Sequence, residues 1–191
     1  MMKRGKEIID ELLKRKKNVI GILKEMRTLT TVSLETAFAA LLTQDKSLAN
    51  KAIKLVEELE FLQYQLEIET MLAASNPKEA LRMAGIYRVG ASLANIADSV
   101  REICDPLLRD IPVEKTIVDA FLELGTIKII EVKENSKVMN KTIRDVEETG
   151  VRVIGIKKGN EWMMRPELSL TIEKDMTLVL SGPKTLLTKI K

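Results

Sequence analysis

The spacing of apolar residues changes near residue 111 of this 191-residue chain. Before that point they recur every three or four positions, which is typical of amphipathic helices. After it they alternate in short runs broken by Gly, Asn and Pro, which is typical of strands and turns. We therefore expect a multidomain protein, with residues 1–110 as a helical domain, 111–117 as a linker and 118–191 as a smaller α+β domain.

The helical part is predicted to be an antiparallel bundle of three helices. Its second helix carries the strongest signal, because its apolar residues follow the 4-3-4-3-4 spacing of a packed helical seam. Asp45 is the predicted cap of this helix, and Asn76 with Pro77 marks the stop and the start of the third helix. The seam consists of Leu48, Ala52, Leu55, Leu59, Leu62 and Leu66.

The first helix contains a run of β-branched and hydroxyl residues. Thr28 to Ser33 reads Thr-Leu-Thr-Thr-Val-Ser, and such side chains compete with the helical backbone for hydrogen bonds. We therefore predict a kink or break within this run.

The C-terminal part is predicted to have the order β-α-β-β-β. A short helix is expected from Val113 to Leu124, before the first strand. A tight hairpin is expected at Lys157 to Asn160, where Gly159 favours a turn between two strands. The pattern indicates a compact α+β unit.

Composition argues against catalysis. The chain has no histidine and one cysteine, Cys104, so the commonest general base, a disulfide and any CxxC metal site are missing. No paired carboxylates or nucleophile–base arrangement is evident. We predict a non-enzymatic protein.

Charge and hydropathy constrain the partners and the location. Residues 1–112 hold 17 basic and 16 acidic side chains, and residues 113–191 hold 14 and 12. This balance lacks the positive excess of nucleic-acid binders, so we expect no nucleic-acid partner. The sequence contains no apolar run of 18 residues and no signal-type segment. We therefore expect a cytoplasmic protein without membrane insertion.

The C-terminal part resembles the regulatory TrkA-C (RCK-C) domain of potassium-transport proteins. The segment Asn135 to Ile143 stands where the family has a "gSplvGktl" loop, although Asn140 replaces a Gly. Lys174 replaces a second Gly, just before Asp175. The other matching segments are Gly150 to Gly159, Pro166, Leu170 to Asp175 and Leu178 to Gly182.

The helical part is similar to one three-helix repeat of PhoU-like proteins. Asp45, Asn76-Pro77, Leu81 to Val89 and Leu93 to Val100 occur in the family's order. PhoU repeats carry a Glu/Asp-x-x-x-Asp pair that binds metal. Here Asp98 keeps the second position but Ala94 replaces the first, so we assign no metal ligand. One repeat is half of a PhoU body, which implies a homodimer.

Together the resemblances imply a regulator of potassium or other cation transport. It would sense a small anionic effector, in some relatives a cyclic dinucleotide, and dock on a membrane transporter or channel subunit, which would place it at the membrane periphery. By resemblance the effector lies in a cleft at a dimer interface, and we assign Arg152, Val153, Ile154 and Asn160 to it. The alternatives are that these residues form the interface core, and that the chain is a PhoU-type phosphate-signalling or metal-binding module.

Overall fold

The computed structural model describes residues 18–114, 116, 120 and 127–190. Within them three long helices are followed by a small antiparallel sheet with two short helices. This confirms the predicted multidomain class, a three-helix part followed by an α+β part. The long helices are α1 (Val19–Thr43), α2 (Lys46–Ala73) and α3 (Pro77–Leu108).

The sheet has four strands in the order β1-β4-β2-β3, and each neighbouring pair is antiparallel. The predicted order β-α-β-β-β is confirmed. The helix predicted at Val113 to Leu124 falls largely on residues outside the described part. The elements are β1 (Ile127–Glu131), α4 (Ile143–Glu147), β2 (Arg152–Lys158), β3 (Glu161–Met164), β4 (Thr177–Ser181) and α5 (Lys184–Leu187).

The chain divides into two compact units. The first contains the described residues up to Leu34 together with Ile53–Glu102, and the second contains Glu35–Ala52 together with the described residues from Ile103 onward. The second unit thus includes the end of α1 and the start of α2. The predicted limits 1–110, 111–117 and 118–191 stay a prediction.

The first unit has an apolar interior. Met26, Leu59 and Leu66 are completely buried, and the burial of Leu59 and Leu66 agrees with the seam predicted for the second helix. The helices approach closely at Gly90, where an added Cβ would lie 2.1 Å from Cδ2 of Leu66. Only glycine fits there without displacing a packed side chain.

Helix α1 is continuous, so the predicted break at Thr28 to Ser33 is wrong. The hydroxyl of Thr28 donates to the carbonyl of Lys24 at 3.0 Å, and that of Thr30 donates to the carbonyl of Met26 at 2.8 Å. These side chains therefore hydrogen-bond within the helix instead of interrupting it.

Both predicted helix caps are confirmed. Asp45 Oδ1 accepts hydrogen bonds from the amides of Ser47 and Leu48, at 2.9 and 3.2 Å. Asn76 Oδ1 accepts from the amides of Lys78 and Glu79, both at 3.0 Å. Side-chain oxygens thus satisfy amides in the first turns of α2 and α3.

The second unit has its own apolar core, formed by side chains of β1, β2, β4, α4 and α5 and their loops. Lys128 on β1 fastens the C-terminal end to this core, because its Nζ donates to the carbonyls of Leu187 and Ile190, at 2.8 and 2.7 Å. The core includes Val132, Val138, Val146, Val153, Ile156, Ile172, Leu178, Leu180 and Ile190.

Asn140 explains one departure from the TrkA-C pattern. Its φ is +61°, in the left-handed region that favours glycine and that asparagine also adopts. The departure therefore keeps the backbone conformation that a glycine would allow. Gly159 has the same φ of +61° and lies in the turn between β2 and β3, which confirms the predicted hairpin.

Candidate effector site on strand β2

The four residues assigned to an effector lie along β2 and its turn. Val153 and Ile154 are only 4% and 1% exposed, and Val153 belongs to the core of the second unit. Neither side chain therefore offers apolar surface to a ligand in the single chain. Arg152 is partly exposed and Asn160 is exposed.

Arg152 and Asn160 are not brought together. Arg152 begins β2 and Asn160 lies in the turn beyond Lys158, and the six steps along the strand, at about 3.3 Å each, amount to roughly 20 Å. A small ligand in one copy of the chain therefore reaches one of them and not both. The role of these residues in binding stays a prediction.

The Arg152 guanidinium is paired with a carboxylate from the end of α1. Its Nη2 donates to Oε1 of Glu35, and the hydroxyl of Ser181 donates to the same oxygen at 2.7 Å. The Glu35 side chain is 15% exposed and that of Arg152 is 42% exposed. The guanidinium thus keeps an edge toward solvent while one donor is engaged.

Among the described residues, only one of the two carboxylate oxygens of Glu35 has a hydrogen-bond partner. Its Oε2 is buried and has no hydrogen-bond partner among the described residues. Burial of a charged oxygen without a partner is unfavourable, so the Glu35 carboxylate depends on Arg152 and Ser181 for compensation.

Both carboxylate oxygens of Asp45 accept hydrogen bonds, in contrast to those of Glu35. Besides capping α2 through Oδ1, Asp45 accepts through Oδ2 from Lys157 Nζ and from Trp162 Nε1, both at 2.9 Å. Burial acts to raise the pKa of Asp45, but the hydrogen bonds from Lys157, Trp162 and the Leu48 amide outweigh it and hold the pKa below its ordinary value.

We call Glu35 and Asp45 with their partners Arg152, Ser181, Lys157 and Trp162 the carboxylate junction. All of these residues belong to the second unit. From the sequence, Asp45 was predicted to cap a helix and was matched to the PhoU order, and no role was predicted for Glu35 or Ser181. The pairs are 112 to 146 residues apart in the chain, so no spacing pattern could have revealed them.

The helical carboxylates form ordinary ion pairs. Asp98 is exposed and accepts from Arg101 at 3.1 Å, and Arg101 also meets Glu60 at 3.0 Å. Among the described residues no group of three or more His, Cys, Asp or Glu side chains could hold a metal ion.

Two further observations concern Cys104 and the long helices. Cys104 is buried, and burial raises the pKa of its thiol to about 11, so the thiolate is scarce at neutral pH. In the part of the chain that the structure describes, no helix has the length and apolar character needed to cross a bilayer.

No curated protein matches the chain. Among solved structures, one similar chain is the RCK C domain of the potassium transport protein KtrA in complex with cyclic diadenosine monophosphate. The identity is 24%, the match covers 40% of this chain and 94% of that one, and the TM-score is 0.30. Another is S. agalactiae BusR in complex with its busAB promoter DNA, at 15% identity, 86% and 93% coverage and a TM-score of 0.30.

At this TM-score neither likeness shows what this chain binds. The BusR match nevertheless contradicts our expectation that nucleic acid is excluded, and we withdraw that expectation. Its physical basis was weak, because charges counted over whole segments cancel and conceal local clusters such as Lys14-Arg15-Lys16-Lys17. This cluster lies outside the described residues.

The two family resemblances are confirmed by matches to residues 23–107 and 127–191. The C-terminal match also supports the coarser part of the functional expectation, since it identifies a regulatory domain related to ion transport. Residues 23–107 match the PhoU domain and residues 127–191 match the TrkA-C domain, so the chain carries a PhoU domain followed by a TrkA-C domain.

Proposed function

We propose that this chain is a non-enzymatic, cytoplasmic regulator of potassium or other cation transport. Its TrkA-C domain binds a small anionic effector, and its helical part serves dimerisation or docking on a membrane transporter or channel subunit. The observation that carries the proposal is the TrkA-C match over residues 127–191, with a partly exposed arginine on β2 of the same domain.

The effector that fits Arg152 is a phosphate-bearing ligand, and a cyclic dinucleotide is our candidate. A guanidinium forms bidentate, charge-assisted hydrogen bonds with phosphate oxygens. Because Glu35 already accepts from Arg152, an incoming phosphate competes with this carboxylate. Effector binding would thus loosen one of the contacts that join α1 to the sheet.

A homodimer would complete the site. Since Arg152 and Asn160 lie at opposite ends of β2, roughly 20 Å apart, a ligand that uses both takes Arg152 from one copy and Asn160 from the second. A two-fold arrangement of this kind presents each residue twice, which suits a ligand with two phosphates. The proposed dimer is checked by sedimentation of the full chain with and without ligand.

Isothermal titration calorimetry of the full chain with cyclic di-AMP tests the proposal. We expect saturable binding that Arg152→Ala weakens at least tenfold, because a hydrogen bond to a charged group contributes about 1.5–3 kcal/mol. Arg144→Ala is the matched control, since Arg144 is an exposed arginine on α4 of the same domain. AMP is the control for a single phosphate.

The result that overturns the effector site is equal affinity of the Arg152→Ala and Arg144→Ala variants. If cyclic di-AMP, other cyclic dinucleotides and inorganic pyrophosphate all fail to bind, effector sensing by this domain is rejected.

The rival function is a PhoU-type phosphate-signalling or metal-binding module. Metal analysis of the full chain purified without chelator separates the two functions. Stoichiometric iron or zinc that is lost in Asp98→Ala would favour the rival. We expect the unmodified chain and Asp98→Ala to contain equal, substoichiometric amounts of metal, because Asp98 is engaged with Arg101.

A further inference from the structure

A separate cavity of about 330 Å³ lies in the second unit, between the loop after β1 and helices α4 and α5. Its apolar lining belongs to the core of the unit, since Val138, Val146 and Ile190 are core residues and Leu186 packs against them. A cavity therefore reaches the hydrophobic core, and its volume lies at the lower end of the range found for small-molecule sites.

The polar lining of this cavity is mainly cationic. Lys137, Lys141 and Lys189 line it and are exposed, against one carboxylate, Asp145. Oδ2 of Asp145 is occupied, because it accepts from the amide and the hydroxyl of Thr142, both at 2.7 Å. Three ammonium groups against one occupied carboxylate leave a net positive charge around an apolar floor.

The ammonium groups have few partners within the protein. Lys137 Nζ donates to the carbonyl of Lys189 at 3.3 Å, which brings these two residues to the same side of the cavity. Among the described residues, no hydrogen bond or ion pair engages the ammonium of Lys141 or Lys189, although, after the hydrogen bonds from Thr142, the charge of Lys141 contributes to lowering the pKa of Asp145.

We propose that this cavity, which we call the lysine cavity, binds a small amphiphilic anion. The apolar body of the ligand contacts Val138, Val146 and Ile190, and its carboxylate or phosphate meets the three lysines. An apolar surface with a few convergent charged groups is the composition of a ligand pocket. The site does not involve Arg152, so the proposal goes beyond the proposed function and is independent of it.

Matched probes distinguish the contribution of the ligand's apolar body from that of its anionic group. Octanoate and octyl phosphate each contain eight carbons and differ in their anionic headgroup. Octanol is the uncharged analogue, and inorganic phosphate supplies the charge without an alkyl chain. Binding is followed in solution NMR by the backbone amide signals of the full chain, which has a mass of 21.5 kDa per copy.

We expect octanoate and octyl phosphate to shift the amides of Val138, Val146 and Ile190 saturably. Octanol is expected to bind at least tenfold more weakly, and the ratio of the two anions identifies the preferred headgroup. Inorganic phosphate alone is expected to leave the three amides unshifted, because it has no apolar body.

The decisive variant replaces Lys137, Lys141 and Lys189 together by Gln. These residues are exposed, so the protein is expected to fold, and the amide spectrum checks this. We expect octanoate affinity to fall at least tenfold, to the level of octanol. The matched control replaces Lys24, Lys78 and Lys133, exposed lysines outside the cavity, and removes the same net charge.

Three results overturn the proposal. One is the absence of saturable shifts at the three amides with either anion. Another is equal affinity for octanoate and octanol, which would mean apolar binding only. The third is an equal loss of octanoate affinity in the cavity variant and in the control variant.

Discussion

The interior of the first unit and the carboxylate junction of the second unit hold the chain together by different means. In the first, apolar side chains such as Met26 and Leu59 are buried between helices, and Gly90 allows close approach. In the second, Glu35 and Asp45 tie the end of α1 and the start of α2 to a sheet through cations and an indole.

The two regions therefore differ in how they respond to pH and to dissolved anions. Apolar packing is insensitive to pH and to dissolved anions, because no charge changes on burial. Ion pairs respond to both, because protonation or a competing anion removes one partner. We therefore expect effectors to act on the junction and the bundle interior to be passive.

The largest expected effect comes from Asp45→Ala. The change removes the cap of α2 and leaves buried Trp162 Nε1 without an acceptor. A lost cap costs about 1 kcal/mol and an unsatisfied buried donor costs about 1–3 kcal/mol, so we expect a loss of about 3 kcal/mol in the free energy of unfolding in urea.

Asp45→Asn is the control for this change. Asparagine caps helices as well as aspartate does and still offers one acceptor, so we expect about half of the loss. Equal stability of Asp45→Ala and the unmodified chain would mean that the contacts of Asp45 do not support the fold.

Gly90→Ala tests the bundle side of the comparison. The added Cβ would lie 2.1 Å from Leu66 Cδ2, and Leu66 is completely buried, so the side chain has little room to move. Overpacking of this kind costs about 1–3 kcal/mol, and the better helix propensity of Ala offsets up to about 1 kcal/mol of it. Urea unfolding is expected to show a net loss of about 1–2 kcal/mol.

Gly85→Ala is the matched control on the same helix. No atom lies within 4 Å of a Cβ added there, so only the helix propensity changes. We expect Gly85→Ala to stabilise the protein by up to about 1 kcal/mol. The same loss in both variants would contradict the close approach at Gly90.

The buried seam of the helical bundle could be predicted from the sequence, but the residue pairs of the carboxylate junction could not, and the reason is physical. Periodicity reports which residues share a face of one helix, so Leu59 and Leu66 were predicted in the buried seam, and the Asp45 cap was visible from local spacing. The pairs Glu35–Arg152 and Asp45–Lys157 depend on tertiary contact between distant segments.

A local rule also produced an error. The hydroxyl run in α1 was predicted to break the helix, but its side chains bond to the carbonyl groups of the preceding turn. In β2, Val153 and Ile154 were assigned to ligand contact by resemblance, and this assignment stays a prediction, although both side chains are buried in the folded chain. Pattern matching identifies the strand, and only the tertiary structure determines which of its side chains remain accessible.

A smaller effect is expected from pH. The pKa of Asp45 in the folded chain is below its ordinary value of 3.8. The stability that its ionised form contributes is therefore fully present above that value and is lost as the pH falls through the lower folded-state pKa. We expect the stability difference between the unmodified chain and Asp45→Asn to shrink as the pH falls below 3.8.

The pH comparison has an internal reference. Gly90→Ala changes packing only, so its stability difference from the unmodified chain is expected to stay constant over the same pH range, measured by urea unfolding at each pH. A constant difference for Asp45→Asn as well would contradict the role of its charge.

The central claim is that the Arg152 guanidinium receives an anionic effector in competition with the Glu35 carboxylate. Its most direct test is the calorimetric affinity of Glu35→Gln for cyclic di-AMP, compared with the unmodified chain at the same salt concentration. Glutamine removes the competing charge, and we expect about tenfold tighter binding, or about 1.4 kcal/mol. Unchanged or weaker binding by Glu35→Gln would contradict the claim.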